Sequence, residues 1–239
     1  MRTKAVRMYG KNDLRLEEFE LPQMKEDEVL VKVMSDSICM STYKLVAQGK
    51  KHKRAPQNID TNPVIVGHEC SGIIVEVGEK WKNQFRPGQK FSLQPALNYQ
   101  GKLDSPGYSY EFCGGACTYC IMPHEVMELG CLLDYTGESF FEASLGEPMS
   151  CIIGGYHANY HTNKKNYGHA MGTKEDGNIL IMGGCGPMGL GAVSYGLQFE
   201  NKPRRIVVTD ISDDRIQRAR EVISEESAKK RGIELRYVN

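Results

Sequence analysis

Between Gly67 and Gly72 the chain sets an imidazole, a carboxylate and a thiol side by side, in His68-Glu69-Cys70. Glycines at both ends allow a tight corner and a close approach by another group. A ring nitrogen and a carboxylate oxygen on such a corner can serve one cation. Two further segments offer partners, Cys39 in Asp36-Ser37-Ile38-Cys39-Met40-Ser41 and Glu147 in Gly146-Glu147-Pro148. A thiolate, an imidazole and a carboxylate, with one position left for water or substrate, form the donor set of a catalytic zinc. Ser41, just past Cys39, is suited to hand a proton between a substrate oxygen and solvent, or merely to close a local turn. The donors lie far apart in sequence, so their types leave two readings open: one shared ion, or unrelated core positions.

A second constellation lies near the carboxy end. The apolar run Asn178–Met182 leads into Gly183-Gly184-Cys185-Gly186-Pro187-Met188-Gly189 and an apolar stretch through Leu197. The next such run ends at Asp210, 21 residues after Gly189. Gly184-x-Gly186-x-x-Gly189 between a strand and a helix, with an acid closing the following strand, is the pattern of a dinucleotide site. Gly184 permits the turn, Gly186 lets backbone approach a pyrophosphate, and Gly189 allows the helix to pack closely on the strand. The helix amino end, at Pro187 and Met188, offers N–H groups and a positive dipole to phosphates. Asp210 accepts from ribose hydroxyls and repels a 2′-phosphate, which favours NAD over NADP; Arg215 joins the cofactor-binding candidates. A glycine turn with a purely structural role is the alternative.

The elements that must position these residues differ between the two ends of the chain. Residues 1 to about 20 read as two strands across a turn at Gly10–Asp13, and Glu28–Val33 alternates like a half-buried strand. Further strands are expected at Ile73–Val77, Lys90–Leu93 and Tyr119–Pro123, with turns at short intervals. Many short strands of this kind predict a partly open β-barrel over residues 1–150. Residues 48–62 carry Lys50, Lys51, Lys53 and Arg54 and read as a surface loop, or as an anion-binding rim. From Glu147 to His161 the apolar spacing predicts a helix, with His157 and His161 one turn apart on it. Residues 151–239 then alternate strand and helix, which predicts a parallel α/β unit whose strands Asn178–Met182 and Arg205–Asp210 are buried on both faces.

Composition excludes several classes of function. Basic and acidic residues number 30 each, so nothing favours a nucleic-acid or acidic-membrane partner. No apolar run approaches the roughly 20 residues of a membrane span, and the amino terminus lacks the apolar core of a signal peptide; the expected location is the cytoplasm. Eight cysteines in a reducing compartment are ligands or small core groups rather than disulfides. Cys113-x3-Cys117-x2-Cys120, with Cys131 beyond, invites a structural zinc, but Cys120 begins an apolar strand and no second metal is expected.

Taken together, Cys39-x-Ser41, Gly67-His68-Glu69 with Gly72, Pro87-Gly88, Glu147-Pro148-x-Ser150, the Gly184–Gly189 loop and Asp210 resemble the zinc-dependent medium-chain dehydrogenase/reductase family. Within it the chain is similar to the sorbitol dehydrogenase branch, which has Glu-Pro-x-Ser where alcohol dehydrogenases have a cysteine ligand. Asn58–Pro63, Pro106-Gly107-Tyr108-Ser109 and Asn159-Tyr160-His161 are shared with its L-sorbose-1-phosphate reductases. The resemblance implies a GroES-like catalytic domain and a Rossmann cofactor domain. It implies one catalytic zinc held by Cys39 and His68, with Glu69 and Glu147 as ligands or water-holding carboxylates, and Ser41 as proton relay. It also implies hydride transfer between NAD(H) and a polyol or ketose, most simply a sugar phosphate, and a homo-oligomer for the full-length form. Members of the family run well past 300 residues, so this chain is expected to hold only the first half of the Rossmann domain. It is then a fragment, or is completed by another chain, or binds zinc or nucleotide without turnover.

Overall fold

In the computed structural model, which describes residues 1–163, 165, 166 and 168–239, the alternation at the amino end forms a hairpin. Strands β1 (Arg2–Gly10) and β2 (Asp13–Glu20) pair antiparallel. Asn12 at the turn takes a positive φ of 56°, a conformation that asparagine tolerates better than most residues. β3 (Val29–Asp36) follows, then helix α1 (Met40–Gln48), β4 (Val64–Ile65), β5 (Cys70–Val77) and β6 (Lys90–Leu93). β7 (Tyr119–Met122), α2 (His124–Glu128), β8 (Leu132–Asp134) and α3 (Phe140–Ser144) complete the first of two compact units, Met1–Glu147.

Its strands form two sheets, ordered β2-β1-β4 and β7-β3-β5-β6-β8. Ala5 bridges Cys117 at the corner between them, and the sheets are otherwise not closed, which makes the expected partly open barrel. Val29, Val31, Ile74, Phe91, Leu93 and Met122 fill one core between the sheets. Cys70, Cys113 and Cys120 are buried in that core. A smaller cluster joins Met8, Leu45, Ile59, Val64 and Tyr108, so the basic segment after α1 is pinned through Ile59 and Ala55 rather than lying loose on the surface.

The second unit, Pro148–Asn239, takes in most of α4 (Gly146–Ala158), then the hairpin β9 (Tyr160–Thr162) and β10 (His169–Met171). It continues through β11 (Asn178–Met182), α5 (Pro187–Gly196), β12 (Arg205–Thr209), α6 (Asp213–Val222), α7 (Glu225–Lys229) and β13 (Glu234–Val238). β11, β12 and β13 pair in parallel in that order, the start of the expected Rossmann sheet. Ile206 and Val208 of β12 are fully buried.

Two expectations are corrected here. β11 is an edge strand, and Leu180 and Met182 on one face of it are 59% and 79% exposed. The central strand β12 is likewise buried only at Ile206 and Val208, with Val207 and Thr209 half-buried, so an apolar run does not by itself report burial on both faces, which requires a layer packed over each face. Helix α4 stops at Ala158, because Asn159 turns its amide back onto the Gly155 carbonyl at 2.8 Å and satisfies a terminal acceptor. His161 consequently sits in β9, and the one-turn spacing from His157 is lost.

Phe91 is 1% exposed and packs in the main core of the first unit. Phe91→Ala is expected to destabilise that unit by about 3–5 kcal/mol, measured as a lower urea midpoint with little change in the slope of the transition.

Candidate functional site

Strand pairing explains how distant donors meet. β3 and β5 run antiparallel, with Asp36 at the end of one opposite Cys70 at the start of the other. The chain leaving β3 carries Cys39, and the chain entering β5 carries His68 and Glu69, so both emerge at the same end of the sheet. Cys39 is the N-cap of α1, its sulfur accepting from the Ser41 N–H at 3.5 Å and from Ser41 Oγ at 2.9 Å. Gly67 has φ 89°, and its carbonyl accepts the Gly115 N–H at 2.7 Å. A Cβ at Gly107 would lie 2.1 Å from that same carbonyl oxygen. The loop carrying Tyr108 can therefore lie against the His68 loop only because Gly107 bears no side chain, while a Cβ at Gly67 would instead meet Asp36 and the Ala116 amide.

Ligand atoms of Cys39, His68 and Glu69 lie within 4.8 Å of one another, and His68 and Glu69 are 4% and 5% exposed. Glu147, in the first turn of α4, is not part of this group, although its charge bears on the Tyr108 phenol. Ser41 stands in the middle, with its Oγ 3.2 Å from His68 Nε2. Tyr108 donates to Ser41 Oγ at 2.7 Å and lies 3.2 Å from the same ring nitrogen. On the other side of the ring Thr42 Oγ1 is 3.4 Å from Nδ1. Glu69 accepts a short hydrogen bond from Ser37, and its N–H donates to Asp36 Oδ1 at 3.1 Å.

The electrostatics follow from burial. Desolvation lowers the His68 pKa to about 4, against the pull of Glu69 and with a push from Arg54, so near neutral pH the ring is uncharged and has a nitrogen lone pair to offer. Burial also raises the Cys39 thiol; the hydrogen bonds from Ser41 oppose this and Glu69 adds to it. Asp36 is pushed up to about 7 by burial, which outweighs its bond from the Glu69 amide, while the Glu69 charge adds to the rise. One sulfur, one neutral imidazole and one buried carboxylate, packed at ligand spacing with no cationic side chain among them, fit a borderline-soft divalent ion. Tyr108, Thr42, Asp36 and Ser37 were not singled out as site residues by spacing. The sequence signal for Tyr108 was its place in the shared segment Pro106-Gly107-Tyr108-Ser109.

In the second unit Gly184 and Gly189 meet, since a Cβ at Gly189 would lie 2.2 Å from the Gly184 carbonyl oxygen. Gly186 is the N-cap of α5 and Pro187 opens its first turn. Met188 lines a cavity of about 630 Å³ along β11. Asp210 is 6% exposed and accepts from the Cys185 and Ser212 amides, each at 3.2 Å. Its carboxylate thus ties the glycine loop to the end of β12. Asp210 and Arg215 line a separate cavity of about 390 Å³ with Gly183, Thr209, Ile211 and Asn239.

This geometry defines a class before any particular protein. Residues 25–132 match the alcohol dehydrogenase GroES-like domain, and along most of its length the chain is similar to alcohol and polyol dehydrogenases. Among its relatives are a mannitol-1-phosphate 5-dehydrogenase of Aliivibrio fischeri, 52% identical over 99% of this chain and 56% of that protein, and an L-sorbose 1-phosphate reductase of Klebsiella pneumoniae, 46% identical over 91% of this chain and 53% of that one. The fold is similar to that of 2R,3R-butanediol dehydrogenase from Bacillus subtilis, with a TM-score of 0.72 at 24% identity, over 99% of this chain and 62% of the other. The chain therefore spans a little over half the length of these relatives. Among the described residues no helix is long and apolar enough to cross a membrane.

The two buried ionisations act in opposite directions on the metal-free protein. Between about 4 and 6.5 the unfolded chain protonates His68 and the folded chain does not, so this group lowers stability as pH falls. Between 3.8 and about 7 the folded chain keeps the Asp36 proton and the unfolded chain does not, so this group lowers stability as pH rises. In chelator-treated protein, Asp36→Asn should uncover the first slope and His68→Gln the second. Each is worth roughly 1.4 kcal/mol per pH unit. Urea titrations from pH 4.5 to 6.5 that gave parallel slopes for the two variants would contradict the assignment.

Proposed function

We propose that the chain is the zinc- and nucleotide-binding part of an NAD-linked dehydrogenase acting on a polyol or ketose, most simply a phosphorylated one. The observation that carries this is the buried meeting of Cys39, His68 and Glu69. The names of the two most similar relatives quoted above supply the substrate class. Cys39 and His68 hold the ion, with Glu69 and Glu147 as a further ligand or as the carboxylates that orient water. Zinc supplies a Lewis acid for the substrate oxygen, and the nicotinamide supplies the redox chemistry.

The chain's own side chains do the rest. Tyr108 donates to Ser41 Oγ and Ser41 donates to Cys39 Sγ. This fixes Ser41 where it can take the proton of a substrate hydroxyl and pass it on. Thr42, beside Nδ1 of His68, orients the ring as outer partners of metal-ligating imidazoles do. In the nucleotide unit, the glycine turn and the α5 amino end take the pyrophosphate, and Asp210 and Arg215 flank the ribose.

The expected zinc content is near one per chain, and it should fall to background in Cys39→Ser and His68→Gln. In the longer protein these changes should lower kcat/KM at least about a thousand-fold, equivalent to roughly 4 kcal/mol. Ser41→Ala should keep the metal and lose about ten- to a hundred-fold in kcat. Full zinc retention in Cys39→Ser would remove the proposal.

Cofactor choice has its own test. Asp210→Asn keeps an acceptor for the Cys185 amide but drops the charge. It should raise affinity for NADPH relative to NADH about tenfold, or ~1.4 kcal/mol, in a fluorescence titration; an unchanged ratio would separate Asp210 from cofactor choice.

The share of the relatives' length that the chain spans favours a second reading, a module that binds zinc and nucleotide without turnover on its own. Activity found only when the remainder of the protein is supplied would select it.

A further inference from the structure

Two arginines of the first unit are drawn into the fold, and they are treated differently. Arg7 is buried and balanced: its guanidinium donates to the Pro63 carbonyl at 3.0 Å and to Glu111 at 3.1 Å, and Glu17 lies at 3.7 Å. Arg54 is half-buried and not balanced. Its Nε, like that of Arg7, is buried without a hydrogen-bond partner, but no ion pair of the described residues includes its guanidinium, whereas Arg7 has two carboxylates beside it. Lys50, in the same segment, is taken up by Asp60 at 2.8 Å.

Arg54 is nonetheless held in place. Its carbonyl accepts from Ser109 Oγ at 2.8 Å and its N–H donates to His52 Nδ1 at 3.3 Å. The guanidinium carbon lies 5.2 Å from the centre of the Tyr108 ring. His52 stacks on the same ring at 5.7 Å and 14°. Tyr108 therefore has a guanidinium against its ring and the Ser41–His68 pair at its hydroxyl. A cation withdrawn from water without a counter-charge is unfavourable, so a fixed, unpaired guanidinium one tyrosine away from the proton relay calls for an anion. A planar fork of N–H donors fits two oxygens of a phosphate, as a lysine ammonium does not. The exposed Lys51 and Lys53 add charge that suits a dianion over a single carboxylate.

We propose that Arg54 anchors the phosphoryl group of a phosphorylated polyol or ketose whose reacting hydroxyl lies at Ser41, and so selects the phosphorylated over the free sugar. This rests on the dehydrogenase reading given above for the nature of the substrate, but not for the anion site itself. The phosphate of a dinucleotide is the other source of the same chemistry, and the experiment separates the two.

Calorimetric titration of the zinc-loaded protein with a hexitol 1-phosphate, the free hexitol, inorganic phosphate and NADH, with zinc content measured alongside, tests it. The phosphorylated hexitol should bind at least about tenfold more tightly than the free one, with inorganic phosphate competing. Arg54→Gln should abolish that preference while leaving zinc, free hexitol and NADH binding unchanged; Lys50→Ala should leave all four ligands unaffected. Arg54→Lys, which keeps the charge, should fall between, and it serves if the glutamine variant does not fold. Loss of NADH binding in Arg54→Gln, or equal loss for both hexitols, would overturn the assignment. So would a zinc-replete protein with no phosphate preference, which leaves the dehydrogenase reading standing. A protein that takes no zinc yet keeps an Arg54-dependent phosphate preference supports the anion site and removes the dehydrogenase reading instead.

Discussion

Backbone touching backbone is the constraint on which this site depends. Gly67 turns with a positive φ and offers its carbonyl to Gly115, while Gly107 passes so close that a side chain there would overlap the same oxygen. That contact brings Tyr108 against His68, with ring centres 4.7 Å apart. The β3–β5 pairing brings Cys39 to the same place from the other side. Neither device uses a metal. The three side chains are gathered by hydrogen bonds and by sterics, so the first unit holds a sulfur, an imidazole nitrogen and a carboxylate oxygen within 4.8 Å of one another.

Burial then sets the chemistry of that set. A half-buried thiol, a neutral imidazole and a carboxylate braced by Ser37 and Asp36 would each be easier to keep in water if charged. Taking them out of water pushes the thiol and the Asp36 carboxyl toward their protonated forms and the imidazole toward its neutral one. A divalent ion reverses the preference for the thiol, since its charge favours the thiolate. The same buried environment leaves Ser41 with three defined neighbours, Tyr108, Cys39 and His68, so its hydroxyl is oriented rather than free to rotate.

The nucleotide unit is organised by one carboxylate and one glycine contact. Asp210 clamps the glycine turn through the Cys185 amide and starts the turn into α6 through the Ser212 amide. Gly189 lets α5 press on Gly184. Because each Asp210 oxygen accepts one of these amides, even the isosteric Asn could keep only one of the two bonds.

The sequence by itself determined the local elements and the donor types. The hairpin at Asn12 and the strand-turn-helix around Gly184–Gly189 are encoded within a few residues of themselves, and propensity and turn chemistry reach that far. It also pointed to His68, Glu69 and Cys39 as ligand types and, through their order along the chain, to a family. Only the tertiary structure decided that these three meet, because that outcome depends on which strand ends pair. Only it showed that Leu180 and Met182 face outward, since burial is a property of neighbours and not of the residue. The basic segment around Arg54 was legible as a possible anion-binding rim, but which of its four cations is held beside the site, and that Tyr108 links it to Ser41 and His68, needed a distant ring and hydroxyl to be placed beside them.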